Sequence, residues 1–194
     1  MEASKQPQST SRPTARFSTR QMVMTALMAA VICVLAPMSI PIGEVPISLT
    51  NLAIYFILYI LGWRLGSLSY VVYMLVGVAG APVFSGFTGG LGKLLGMTGG
   101  YIIGFLPMAI IAGLAIDHSR SRIVHLLGMI LGTIVCYALG TAWFCVLSGM
   151  GVMPALATCV FPFIPLDLLK MAAAIAVGPM LRRRIVQAVG EIRP

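Results

Sequence analysis

The placement of charge constrains this chain more than any other feature. Between Gln21 and Ile116 only Glu44, Arg64 and Lys93 are charged, and between Ile123 and Leu181 only Asp167 and Lys170. Uncharged apolar runs of about 20 residues match the roughly 30 Å hydrocarbon core of a bilayer. Composition agrees. Of 194 residues, 59% are hydrophobic and 9% charged, against about 25% charged in soluble domains, and the mean hydropathy is +0.99. A soluble enzyme, a nucleic-acid-binding module and a disordered chain are excluded. In a soluble protein the net charge of +8 would suggest a nucleic-acid partner; here the positions of the basic residues assign them to membrane topology.

The reading is an all-α membrane protein with six transmembrane helices, near 21–40, 47–63, 66–82, 99–116, 123–147 and 165–181. It divides into a disordered polar tail over 1–19, a transmembrane domain over 20–185 and a short tail over 186–194. Pro37, Pro41, Gly43 and Pro46 end the first span, and Gly62 to Gly66 makes a short turn. Residues 82–98 and 148–165, rich in Gly and Pro, read as loops. With the N-terminus in the cytoplasm, eleven of thirteen basic residues fall inside and only Lys93 and Lys170 outside. That asymmetry orients both termini to the cytoplasm.

Asp167 and Lys170 are three apart and share a helix face. Two readings stand. They are a helix-start carboxylate and a snorkelling lysine, or a polar pair facing a cavity, since ionisable groups within spans are costly and functional. Lys93 sits in a glycine-rich segment. Phe87 and Leu94 break any phosphate-loop pattern, so Lys93 is either a loop lysine or a cation for an anionic solute. Gly99-Gly100-Tyr101 opens the fourth span, where paired glycines admit a ligand or a neighbouring helix. Ser48, Thr50 and Asn51 either read a polar ligand or cap the second span. Ala26 and Ala30 in the first span, like Gly128 and Gly132 in the fifth, form small-residue stripes that let helices approach closely. His118 and His125 read as surface histidines at a cytoplasmic turn. Arg182-Arg183-Arg184 reads as a topology anchor contacting lipid headgroups. Four cysteines show no metal spacing and read as buried thiols. No metal, cofactor or nucleotide site is expected, and no nucleophile and base share a side of the membrane, so an enzyme is not expected.

Five stretches, in order, carry a resemblance over about Thr25 to Met180. They are Val45-Pro46-Ile47-Ser48-Leu49, Tyr73 through Phe84, Gly89-Gly90, Thr98 through Phe105, and Pro162 through Lys170. Together they resemble BioY, the biotin-binding S component of energy-coupling factor (ECF) transporters. Met97 departs from the family's usual proline, and Thr50 from its common glutamine. The resemblance implies a six-helix S component in the bacterial plasma membrane, with biotin as ligand. It also implies a transmembrane coupling protein and two ATPase subunits as partners. Ala26 and Ala30 match the family's stripe toward the coupling protein. On this basis biotin's ring N–H groups would face Asp167 and Asn51, and its carboxylate Lys170 or Lys93. Tyr101, Phe84, Phe87 and Trp143 would cover the apolar body, with Gly100 giving close approach. An S component for another vitamin, or a carrier working without ATPases, are the alternatives.

Overall fold

The computed structural model describes residues 18–40 and 45–190. Among them are seven helices: α1 Thr19–Leu35, α2 Thr50–Val78, α3 Leu91–Leu95, α4 Gly99–His118, α5 Arg122–Ser148, α6 Val152–Cys159 and α7 Ile164–Val189. A two-residue hairpin pairs β1 (Ser39–Ile40) antiparallel with β2 (Ile47–Ser48). By length and composition α2, α4, α5 and α7 can each cross a membrane, and α1 is a shorter apolar helix.

Helix α1 begins at a capping box. The Ser18 hydroxyl accepts from the Gln21 amide, and the Gln21 side chain accepts from the Ser18 amide. It ends at Leu35, before Pro37, so the first span is shorter than the apolar run to Ile40. Pro41 and Gly43, expected to help end it, lie outside the described residues, as does most of the N-terminal tail.

Helix α2 is two helices with a reversal at Gly62, where φ is 79° and ψ 178°. Only glycine adopts that conformation without strain. Eight residues of continuous helix span about 12 Å. Yet a Cβ on Gly66 would lie 3.5 Å from Leu58 Cα, so the arms fold back on each other. They overlap the segments expected at 47–63 and 66–82. The reversal frees the Trp63 amide, which donates to Asp117 Oδ2 at 2.9 Å, and Arg64 lies 5.3 Å from the Trp63 ring centroid.

Two expectations are corrected. The segments 82–98 and 148–165 are not wholly irregular, because they contain α3 and α6. Helix α7 also runs on to Val189, well beyond residue 181, because Arg182, Arg183, Arg184 and Gln187 are good helix formers past the apolar run.

Glycines set the contact between α4 and α5. A Cβ on Gly100 would strike Trp143, on Gly140 the Tyr101 ring, on Gly128 Ala115, and on Gly132 Met108. Gly128 and Gly132 therefore serve internal packing, the means by which helices approach without a solvent-driven force. The interior is filled by Ile32, Tyr55, Tyr70, Phe84, Met108 and Phe144, each at most 1% exposed. The outside is apolar too, with Val34, Ile123, Leu131, Ile134 and Val146 exposed. Such a surface suits hydrocarbon, and the chain is a multi-pass membrane protein.

Candidate functional site

A cavity opens among β2, the arms of α2, α4, α5 and the start of α7, under the loop that follows α2. It is partly enclosed, with a mouth continuous with solvent. Most of its wall is apolar or aromatic, from Tyr70, Tyr73, Phe84, Tyr101, Phe105 and Phe163. The loop is tied down by Gly90 donating to Gly77 at 2.7 Å and Gly86 donating to Pro37 at 3.2 Å. Phe84 is thereby driven inward, fully buried edge-on against Tyr73 with centroids 5.7 Å apart.

One wall is polar. Pro165 lies in the first turn of α7, where a missing N–H costs nothing. Asp167 follows in that turn, 7% exposed and aimed into the cavity. Its Oδ1 accepts from Asn51 Nδ2 at 2.8 Å and from Lys170 Nζ at 3.1 Å, and its Oδ2 accepts from the Tyr137 hydroxyl at 2.6 Å. Lys170 donates further to Ser48 O at 2.8 Å and Asn51 Oδ1 at 3.1 Å. All three ammonium donors are engaged. The pair is therefore neither a helix cap nor a snorkelling lysine. It is a buried ion pair on the cavity wall, and burial without bulk water is tolerable because each partner is hydrogen-bonded.

This cluster joins four elements distant in sequence. Asn51 comes from the first arm of α2, Tyr137 from α5, and the ion pair from α7, while Ser48 contributes from β2. It offers the remaining lone pair of Asp167 Oδ2 as an acceptor beside the second Nδ2 hydrogen of Asn51 as a donor. Such a wall suits a small ligand carrying both donors and an acceptor on a compact head, with an apolar body against the aromatic side.

Of the residues expected at a site, Asp167, Lys170, Asn51, Tyr101 and Phe84 line this cavity. Lys93, Phe87, Gly100 and Trp143 do not. Lys93 lies on α3, and Phe87 is 68% exposed at the loop tip. Trp143 packs on Gly100 and donates from Nε1 to Gly96 O at 3.0 Å, holding the start of α4. The expectation of a surface histidine fails at His125. It is buried, with Nε2 2.9 Å from Ser119 O and Nδ1 3.0 Å from the Tyr59 hydroxyl. His118 is exposed, as expected. Cys136 and Cys159 are buried, whereas Cys33 and Cys145 are half-buried. Among the described residues no cluster could hold a metal ion. Sequence reading missed Tyr137, which touches Asp167, and Tyr70 and Tyr73 on the aromatic wall.

Known proteins resemble this chain along nearly its whole length. "Biotin transporter BioY" of Thermotoga maritima is 34% identical over 170 residues, covering 87% of this chain and 99% of that protein. "Probable biotin transporter BioY" of Pyrococcus horikoshii is 36% identical over 163 residues, covering 84% and 96%. The crystal structure of the S-component for biotin from an ECF-type ABC transporter superposes with a TM-score of 0.77 at 29% identity, covering 84% of this chain and 91% of that one. The model of the BioY family matches residues 7–187. With the fold, the length and the family pattern in agreement, this chain belongs to the BioY family.

Proposed function

We propose that this chain is the high-affinity biotin-binding S component of an ATP-driven ECF vitamin uptake transporter. The observation that carries the reading is the buried Asp167–Lys170–Asn51–Tyr137 cluster on one wall of an otherwise apolar cavity. Biotin's ureido ring presents two N–H donors and one carbonyl. Asp167 Oδ2, which accepts only from Tyr137, keeps a lone pair for a ring N–H, and Asn51 Nδ2 keeps a second hydrogen for the carbonyl. The thioether bicycle and aliphatic tail then lie along Tyr101, Phe84 and Phe105.

The tail carboxylate is assigned to the loop-covered end, where Ser85 and Thr98 contribute to the wall. Lys93 adds positive potential at that end from outside the lining. Trp143 and Gly100 position Tyr101, and Phe87 marks the loop tip.

The six membrane crossings are α1, the two arms of α2, α4, α5 and α7, with both termini in the cytoplasm of a bacterial cell. Ala26 and Ala30 are exposed on the outward face of α1, beside Met22 and Leu27. That face docks the coupling protein, and two ATPase subunits supply the energy that this chain does not.

Competition titration tests the ligand. Biotin should bind the purified chain saturably, while thiamine and riboflavin in large excess should not displace it. Displacement of biotin by either vitamin, or no saturable biotin binding by well-folded protein, would contradict the reading.

A further inference from the structure

A second pocket lies at the other end of the bundle. Asp167 and Arg182 are 15 residues apart on α7, about 22 Å of helix. Here the turn between α4 and α5 contributes Arg120, α5 contributes its first residue, Arg122, and α7 contributes Arg182 and Arg183. Among the described residues no carboxylate lines this pocket. Four guanidinium groups from two chain segments about 60 residues apart therefore line one pocket.

The floor is built rather than incidental. Ser119 O can only accept, so His125 Nε2 carries the proton, and Nδ1 accepts from the Tyr59 hydroxyl. That relay ties the arginine-bearing turn to α2 and α5. Gly178 lets the Tyr59 ring lie directly on α7, since a Cβ there would strike it. The remaining wall is aliphatic, from Ile116, Pro179 and Val186.

We propose that this pocket binds a phosphate group, presented by an anionic membrane phospholipid. The guanidinium fork matches phosphate oxygens in shape as well as charge. A basic pocket between helices at the end of their apolar stretches is where a headgroup meets protein. The aliphatic wall suits the glycerol and first acyl carbons, which a soluble phosphate lacks. The polybasic run 182–184 is therefore not uniform. Arg182 and Arg183 line the pocket, whereas Arg184 does not.

That difference supplies the test. The full chain in mild detergent is titrated with phosphatidylglycerol and with phosphatidylcholine, beside Arg120→Gln, Arg183→Gln and Arg184→Gln. Unchanged thermal unfolding of each variant establishes that it is folded. The proposal expects phosphatidylglycerol to be preferred. Arg120→Gln and Arg183→Gln should each weaken it about fivefold, from about 1 kcal/mol per basic residue, and Arg184→Gln should leave it nearly unchanged. Competition by inorganic phosphate with the same variant pattern would support the phosphate site and assign it to a soluble source. Equal effects of Arg183→Gln and Arg184→Gln, or no preference between the lipids, would overturn the proposal. So would variants that lose ATP-driven uptake while binding lipid normally, because the pocket would then serve a protein partner.

Discussion

Asp167 accepts three hydrogen bonds from three different side chains while only 7% exposed. Removing its charge leaves Lys170 buried and uncompensated, which costs about 3–5 kcal/mol. Asp167→Asn should therefore lower the thermal unfolding temperature, and Asp167→Asn/Lys170→Met should recover part of the loss. A double variant no more stable than Asp167→Asn would contradict the ion-pair account. Tyr137→Phe removes one donor to a charged acceptor, an interaction of about 1.5–3 kcal/mol, and should weaken biotin at least about tenfold in a binding titration. The two charged residues were legible in the sequence because an acid and a base in an apolar run stand out. Tyr137 was not, because a tyrosine among apolar helix residues has the same pattern as a core aromatic. His125 was misread for a related reason. Its partner Tyr59 lies 66 positions away, and nothing local signals the contact.

At the scale of elements, glycine decides both the reversal in α2 and the contact of α4 with α5. Gly62→Ala places a side chain where φ is 79° and should cost about 1–3 kcal/mol, read as a lower unfolding temperature. Gly140→Ala drives a methyl against the Tyr101 ring. Overpacking of that kind costs about 1–3 kcal/mol, and it should also weaken biotin because Tyr101 lines the cavity. Unchanged biotin affinity in a folded Gly140→Ala protein would remove Tyr101 from the account. The main breaks between the long helices could be read because Pro, Gly and charge mark them. The short helices α3 and α6 could not, because Gly and Pro around them mask a few helical residues. Lys93 is a cation in a glycine-rich segment, yet it lies on α3 outside the cavity lining, and that placement depends on how the loop closes.

For the whole molecule, charge is confined to the ends and to one buried cluster. The apolar exterior and the exposed Ala26–Ala30 stripe face outward, and the cavity faces in. Ala26→Trp/Ala30→Trp should abolish most ATP-driven biotin uptake in cells carrying the coupling protein and ATPases, while the purified variant binds biotin as before. Uptake equal to wild type would remove the stripe from the partner interface. The all-helical membrane class and the family were legible because they rest on hydropathy and on motifs spread over the chain. The convergence of the arms of α2, α5 and α7 on one polar wall was not, because it is a property of packing.

Calorimetric titration of biotin into the wild-type chain, beside Asp167→Asn and Lys93→Ala, tests the central claim most directly. The account predicts tight wild-type binding and a loss of at least about tenfold in Asp167→Asn, the charged hydrogen bonds being worth about 1.5–3 kcal/mol each. Lys93→Ala should fall by less than about threefold, its charge acting through solvent. Equal affinity of wild type and Asp167→Asn would contradict the account, because biotin would then be held without the cluster on the cavity wall.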